Sequence, residues 1–139
     1  MIVVDTSFVY ALLDRRDARH REAAVWYQRT TEDWQRRRSC SRRSTSGHAQ
    51  ASSPERRFGA DVRAGAYMVE WSPAAARQAA EIVDRYSDHD VSLTDASLVA
   101  LAERIGTRRI ATFDERHFRS MRPLQPAVAA FTLVPPDAD

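Results

Sequence analysis

Three aspartates stand at the ends of apolar stretches, and their carboxylates are the groups of this chain best suited to chemistry. Asp5 follows Ile2-Val3-Val4, Asp95 follows Leu93-Thr94, and Asp114 follows the apolar stretch 110–113. If the flanking strands lie side by side in a parallel sheet, all three carboxylates meet at its carboxyl edge, where open α/β sheets bind ligands. Converging carboxylates repel one another unless a cation neutralises them, and hard oxygen ligands favour Mg²⁺ or Mn²⁺. The pattern therefore indicates metal-dependent phosphate chemistry.

Each aspartate also has a purely local interpretation. An aspartate that precedes a helix is a favoured N-cap and stabilises the helix by about 1 kcal/mol. Hydroxyl residues accompany all three aspartates, and they are either local caps or groups that orient a metal-bound water or a carboxylate. These neighbours are Thr6, Ser7, Thr94, Ser97 and Thr112. Recurrence of the same arrangement at three sites favours a shared function over three independent caps.

Composition sets wide limits on the function. The 139 residues suit one domain that buries a core without disulfides, and the single Cys40 excludes an internal disulfide and every multi-cysteine zinc pattern. The net charge is +2, and all 21 basic side chains are arginines. A G/C-rich genome produces that bias by itself, although the arginine guanidinium also suits phosphate, so a nucleic-acid partner is compatible with the composition.

The sequence gives no sign of membrane insertion or export. No apolar run approaches the ~18 residues that a membrane span needs, and a strand pattern begins at Ile2 without a basic region before it. We therefore expect a cytoplasmic protein with no membrane partner.

Hydrophobic periodicity predicts alternating strands and helices. Ser72-Pro73 supplies an N-cap and a proline at the first helical position, and Gly106 ends a helix. The predicted strands are 2–4, 67–71, 109–113 and 131–134, and the predicted helices are 8–13, 20–34, 74–86 and 95–105. This alternation indicates the α/β class, with a parallel sheet covered on both faces.

The pattern fails between Gln35 and Arg57. This stretch is dominated by arginine and serine and has almost no large apolar residue, so it buries too little surface to offset its ordering entropy. We expect residues 35–57 to be atypical and poorly ordered, with order returning at Phe58.

Three segments together resemble the PIN-domain ribonucleases of the VapC toxin type. They are Val3-Val4-Asp5-Thr6-Ser7, Leu93-Thr94-Asp95-Ala96-Ser97 and the run from Ile110 to Phe118, which reads Ile-Ala-Thr-Phe-Asp-Glu-Arg-His-Phe. The resemblance covers residues 1 to about 34 and 58 to 139. It implies a single PIN domain over 1–139, folded as a three-layer α/β/α sandwich with a central parallel sheet. It also implies a metal-dependent endoribonuclease that forms a homodimer and is inhibited by a small antitoxin.

The resemblance implies a role for each matching aspartate. Asp5 and Asp95 would be the principal ligands of Mg²⁺ or Mn²⁺, and Asp114 would complete the acidic pocket directly or through water. The metal would lower the pKa of a bound water and stabilise the negative charge that develops during attack on an RNA phosphodiester.

One element of the family pattern is missing. The family carries a glutamate in a segment similar to Val-Leu-Ala-Glu-Val-Asp, which should fall near residue 42, whereas this chain reads Ser39-Cys40-Ser41-Arg42-Arg43-Ser44-Thr45-Ser46. One G/C-rich back-translation of that stretch is TCG TGC TCG CGG AGG TCG ACC TCG. Read from its third nucleotide, it encodes Val-Leu-Ala-Glu-Val-Asp-Leu. We therefore hypothesise a shifted reading frame within 35–57, while an ordinary basic insertion or an RNA-binding arginine-serine tract remains the alternative.

Further residues have competing interpretations. His117 follows Asp114 by three positions, which suggests a general acid or a metal ligand, although a half-exposed surface histidine is the simpler expectation. Arginines after Asp114 either contact an RNA backbone or are solvated, and aromatic residues near the second helix either form a partner surface or pack in the core. These residues are Arg116, Arg119, Arg122, Trp26, Tyr27 and Trp34.

Two alternatives to a ribonuclease toxin come from different functional classes. The missing glutamate favours a catalytically impaired PIN-like module that binds an antitoxin or a homodimer partner without cleaving RNA. A phosphoacceptor receiver domain also places acids at strand ends, but it needs a lysine on a late strand, and the sequence contains no lysine.

Overall fold

The computed structural model describes residues 1–30, 53–65 and 72–138. Along these residues the elements are β1 (Val3–Val4), α1 (Thr6–Leu13), α2 (His20–Arg29), α3 (Pro54–Arg63), α4 (Pro73–Arg85), α5 (Leu93–Arg104), β2 (Arg109–Ala111), α6 (Glu115–Ser120) and β3 (Thr132–Val134). The chain divides into two compact units, one of Met1–Asp5 with Glu70–Asp139 and one of Thr6–Val69.

A parallel sheet lies in the first unit. Within the described residues it contains three strands in the order β1-β2-β3, with both neighbouring pairs parallel. Ile110 at its centre pairs with Val3 on one side and Leu133 on the other, and all three side chains are buried. Because β2 lies between the other two strands and is buried, its apolar residues need not alternate with polar ones. The predicted α/β class with a parallel sheet is confirmed.

The helices of this unit complete its core. Helix α4 begins with the predicted cap, since the Ser72 hydroxyl accepts a 3.2 Å hydrogen bond from the Ala75 N–H and Pro73 is the first helical residue. It packs along α5, and α5 also contacts β1. The buried apolar side chains include Val3, Ala79, Ile82, Val99, Ile110, Phe118, Met121, Phe131 and Leu133.

Helices α1, α2 and α3 form the second unit. The Phe8 and Trp26 rings meet edge to face, with their centroids 5.3 Å apart, and both side chains are buried. The Arg57 guanidinium donates a 3.0 Å hydrogen bond to the Leu13 carbonyl at the end of α1. Trp26 therefore belongs to the core, as the simpler interpretation predicted, while Tyr27 is half-buried.

Several predicted boundaries need correction. Helix α2 ends at Arg29, five residues before the predicted end, because Thr30 adopts an extended conformation (φ −72°, ψ 137°). Helix α3 begins at Pro54, within the stretch that we expected to be poorly ordered, because Ser53 and Pro54 provide a helix start. The larger part of the stretch 35–57 with the hypothesised frame shift, residues 35–52, lies outside the described residues, as do Trp34 and the predicted strand 67–71.

None of the helices seen in the described parts of the chain has the length and apolar character needed to cross a membrane.

Candidate metal centre

Asp5 is held at the carboxyl end of β1. Its backbone N–H donates to the Ala111 carbonyl at 2.9 Å, which extends the pairing of β1 with β2 by one residue. The residue is 6% exposed, and its carboxylate Oδ2 accepts a 2.8 Å hydrogen bond from the hydroxyl of Thr112. Thr112 is itself fully buried. This buried contact fixes the orientation of the Asp5 carboxylate.

Asp114 lies at the carboxyl end of the neighbouring strand β2. Its backbone N–H donates a 2.9 Å hydrogen bond to the hydroxyl oxygen of Thr112, the same atom that donates to Asp5. Asp114 occupies the N-cap position of α6, yet its side chain makes no cap hydrogen bond with that helix. The N-cap interpretation therefore fails to explain the Asp114 carboxylate, whose side chain is 40% exposed.

Asp95 reaches the site from a helix instead of from the end of a strand, which corrects the expectation for this residue. It is the third residue of α5, and Ser92 is the N-cap. The Ser92 hydroxyl accepts from the Asp95 N–H at 3.1 Å and donates to Asp95 Oδ2 at 2.7 Å, and the Ser92 N–H approaches the same Oδ2 at 3.4 Å. This reciprocal capping box immobilises the carboxylate, which is almost fully buried.

His117 completes a group of three potential ligands with Asp95 and Asp114. One ligand atom of each residue lies within 4.8 Å of the other two. Imidazole Nδ1 is 3.1 Å from Asp114 Oδ2 and 3.3 Å from Asp95 Oδ2, but it makes a hydrogen bond with neither oxygen, and it is buried without any other partner among the described residues. The His117 side chain is 25% exposed, less than the half-exposed surface position that was the simpler expectation, and the spacing of three from Asp114 is the signal that relates it to this group.

These residues fit a divalent cation. Two carboxylate oxygens and one buried nitrogen without a hydrogen-bond partner converge on a common space, and a positive ion there would offset the repulsion between the carboxylates. Asp5 is outside this group of three and is connected to it through Thr112. The ligand set of Asp5, Asp95 and Asp114 stays a prediction. The structure brings two of its members, Asp95 and Asp114, directly together.

The hydroxyl neighbours differ in what they contact. The Thr112 hydroxyl donates a hydrogen bond to the carboxylate of Asp5. The Ser97 hydroxyl instead donates to the Thr94 carbonyl within its own helix at 2.6 Å. Thr112 therefore orients a carboxylate, which is one of the two roles expected for these hydroxyl residues, and Ser97 makes a local helix contact.

The arginines after Asp114 also separate into two kinds. Arg119 makes ion pairs with Glu115 at 2.9 Å and with Asp137 at 2.6 Å, and its hydrogen bonds to these carboxylates raise the pKa of its guanidinium. Arg116 and Arg122 are exposed. Arg119 is therefore committed to holding α6 against the segment that follows β3, and Arg116 and Arg122 are the better candidates for contact with an external anion.

Comparison with known proteins gives matches at the levels of family, sequence and fold. Residues 2–122 match the PIN domain family. Ribonuclease VapC26 of Mycobacterium tuberculosis (strain ATCC 25618 / H37Rv) is 38% identical over 76 residues, which are 54% of this chain and 55% of the relative. The matching segment thus spans about half the length of that curated relative.

A solved structure shares the fold. The crystal structure of Mycobacterium tuberculosis VapC20, described as a sarcin-ricin loop cleaving toxin, superposes with a TM-score of 0.53 at 24% identity. The superposition covers 82% of this chain and 90% of the VapC20 chain. Together these matches confirm the resemblance to PIN-domain proteins of the VapC type and the PIN-like α/β fold. Since the family match extends over residues 2–122, this chain belongs to the PIN domain family.

Proposed function

We propose that this protein is a metal-dependent endoribonuclease that acts as the toxin of a toxin-antitoxin pair. The observation that carries the proposal is the convergence of Asp95, Asp114 and His117 within 4.8 Å, beside the buried carboxylate of Asp5. The similarity to a relative named as a ribonuclease supports the same chemistry. The proposed substrate is RNA, and the proposed place of action is therefore the cytoplasm.

Mg²⁺ or Mn²⁺, when bound, would lower the pKa of a bound water and neutralise charge on the phosphodiester. The protein would contribute fixed positions for the ligand groups. Ser92 holds Asp95, and Thr112 fixes the Asp5 carboxylate and the Asp114 backbone. Because an uncompensated group of carboxylates repels the phosphates of RNA, substrate binding and metal binding are coupled in this proposal.

Arg116 and Arg122 are proposed to contact the RNA backbone. Both side chains are exposed, and Arg116 lies on α6 between Asp114 and His117 in sequence. Guanidinium groups bind phosphate oxygens in a bidentate manner but carry no sequence information when they do so. We expect these arginines to contribute affinity, and we expect RNA specificity to come from other contacts. A small antitoxin and a second copy of the chain are the proposed protein partners.

The decisive experiment is cleavage of RNA by the purified chain with Mn²⁺ or Mg²⁺, with and without EDTA. Asp5→Asn, Asp95→Asn and Asp114→Asn should each reduce cleavage by about 100-fold or more, since metal-supported catalysis contributes several kcal/mol. Asp88→Asn is the matched control, because the Asp88 side chain is 79% exposed and forms a long ion pair of 3.8 Å with His89. Cleavage that persists unchanged in EDTA would contradict the proposal.

A PIN-like module that binds partners without cleaving RNA is the second candidate. The absence of the family glutamate from the sequence Ser39–Ser46 favours it, and that segment lies outside the described residues. We would replace Ser39–Ser46 with the shifted-frame segment Val-Leu-Ala-Glu-Val-Asp-Leu. Cleavage that appears only in the replaced chain would support the impaired module, and equal cleavage in both chains would exclude it.

A further inference from the structure

We infer that Nδ1 of His117 is a direct ligand of the divalent metal, together with Asp95 and Asp114, and that it makes the site prefer Mn²⁺ over Mg²⁺. The inference rests on the proposed function in one respect, because it takes the carboxylate cluster to be a metal site. It goes further by adding a nitrogen ligand to a site that the three aspartates alone would make purely of oxygen.

The separations between the three groups suit ligands of a single ion. Nδ1 of His117 is 3.1 Å from Asp114 Oδ2 and 3.3 Å from Asp95 Oδ2. In an octahedral site with bonds of roughly 2.1 Å, adjacent ligand atoms lie about 3.0 Å apart. The two nitrogen–oxygen distances are therefore close to the edges of such an octahedron.

The absence of a hydrogen bond at Nδ1 is the second argument. Two carboxylate oxygens lie within 3.3 Å of this nitrogen, and the atom is buried, yet it makes a hydrogen bond with no described group. A protonated imidazole that served only as a counter-ion would direct its N–H at one of those oxygens. A cation bound between the three atoms accounts for short distances without that alignment.

Contacts within the protein hold the three residues in place. Asp114 is the N-cap of α6, and His117 is the third residue of that helix, so a separation of three places both on one face. Asp95 belongs to the first turn of α5 and is fixed by the capping box with Ser92. The first turns of two helices, α5 and α6, thus supply the three ligand groups.

A nitrogen ligand changes which metal is favoured. Mg²⁺ prefers oxygen ligands in a strict octahedral arrangement and retains several waters. Imidazole suits transition-metal ions better, and affinity rises from Mn²⁺ towards the later metals of the first row. An Asp-Asp-His site should therefore bind Mn²⁺ more tightly than Mg²⁺, and loss of the imidazole should reduce Mn²⁺ binding more than Mg²⁺ binding.

Pulsed electron paramagnetic resonance of the Mn²⁺-loaded full chain tests the ligand directly. We expect a ¹⁴N coupling typical of a coordinated imidazole in the parent protein and in His89→Gln, and no such coupling in His117→Gln. His89 is the matched control, because its imidazole is exposed and its ion-pair contact is with Asp88. The parent spectrum alone tests the proposal if His117→Gln fails to fold.

Calorimetric titration with each metal tests the selectivity. His117→Gln should lower Mn²⁺ affinity by about 10-fold or more, in the range seen when metal-site residues are altered, and should change Mg²⁺ affinity by less than about 3-fold. Equal losses for the two metals would overturn the selectivity.

The outcomes separate this inference from the proposed function. Mn²⁺ binding that depends on Asp95 and Asp114 but shows no ¹⁴N coupling would overturn the histidine ligand and leave the ribonuclease proposal intact. A coupling that survives in His117→Gln would also overturn it. If the parent binds no Mn²⁺ and its RNA cleavage is insensitive to EDTA, the inference and the proposed function both fail.

Discussion

The hydroxyl of Thr112 donates a 2.8 Å hydrogen bond to Oδ2 of Asp5, and both residues are buried. The same hydroxyl oxygen accepts the backbone N–H of Asp114 at 2.9 Å. The two strands pair in parallel, with Val4 opposite Ala111, so Asp5 and Thr112 are the next residues on adjacent strands. One threonine side chain thereby connects two of the three aspartates.

Replacement of Thr112 by valine should affect both stability and metal binding. Thr112→Val keeps the shape of the side chain but leaves a buried carboxylate oxygen and a backbone N–H without this partner. We expect a loss of about 1–3 kcal/mol in the free energy of unfolding, measured in urea, and weaker Mn²⁺ binding by calorimetry. Thr112→Ser is the control because it keeps the hydroxyl. Equal Mn²⁺ affinity in the valine and serine variants would show that the contact has no bearing on the site.

The capping box on α5 gives a prediction with a close internal control. Ser92→Ala removes the cap and the hydrogen bond to Asp95, whereas Ser72→Ala removes the corresponding cap from α4. Each should destabilise the protein by about 1 kcal/mol in urea unfolding. Only Ser92→Ala should also lower Mn²⁺ affinity, because only Ser92 holds a proposed ligand. If both variants lower the affinity equally, the effect comes from stability and the local role of Ser92 is refuted.

The sequence predicts the positions of Asp5 and Asp114 after strands, because such a position depends on the local pattern of apolar residues. Both directly or closely follow strands that pair side by side, as the apolar runs indicated. The same pattern predicts that Asp95 follows a strand, but Asp95 lies in the first turn of α5. The spacing of Ser92 and Asp95 is the signature of a capping box and places Asp95 inside a helix.

The sequence alone does not predict the contact between His117 and Asp95. A spacing of three within a helix relates His117 to Asp114, but the approach of Asp95 depends on how two helix starts pack in the fold. A single sequence contains no measure of that packing. The sequence suggests a metal-ligand role for His117 only through its spacing from Asp114, and the structure adds the approach of Asp95.

Helix boundaries are predicted accurately where the sequence carries a clear start or stop signal. Ser72-Pro73 and Gly106 are clear helix signals, and the helices that they bound lie close to the predicted ranges. Ser53-Pro54 carries the same start signal, but it lies in a polar stretch, and the sequence analysis predicts no helix at the position of α3. Helix α2 ends at Arg29 before Thr30, where neither glycine nor proline marks a stop.

Two glycines should respond to alanine in opposite directions. Gly106 has φ +67° and ends α5, where the Thr107 N–H donates to the Ala102 carbonyl and its own N–H to Glu103. Gly106→Ala forces an L residue into the left-handed region, so we expect it to destabilise by about 1 kcal/mol or more. Gly59 lies inside α3, and a Cβ there would meet Arg63 at an ordinary 3.6 Å. Gly59→Ala should therefore stabilise by about 0.5–1 kcal/mol.

Thermal unfolding of both glycine variants measures these effects. A shift of 1 kcal/mol corresponds to a few degrees in Tm for a chain of this size. Destabilisation by both substitutions would show that helix α3 does not accept a methyl group at Gly59.

The last prediction concerns pH and the contact between Arg119 and Asp137. Asp137 accepts hydrogen bonds from both terminal guanidinium nitrogens of Arg119, at 2.6 and 3.2 Å, and from the Leu133 N–H at 2.8 Å. The Arg119 hydrogen bonds, followed by that of Leu133, hold the pKa of Asp137 below its ordinary value of 3.8. Its stabilising contribution is therefore fully present above the ordinary pKa and is lost as the pH falls through the lower pKa of the folded state.

Asp137→Asn should accordingly destabilise the protein at pH 7, and the difference from the parent should narrow as the pH falls below 3.8. Because the Arg119 side chain is 46% exposed and Asp137 is 29% exposed, screening by solvent limits the effect to about 0.5–1 kcal/mol. Urea unfolding at pH 7, 5 and 3 measures it, with Asp88→Asn as an exposed control. A difference that stays constant from pH 5 to 3 and below, or that grows in acid, would contradict the assignment, because protonation of Asp137 must weaken its attraction to Arg119.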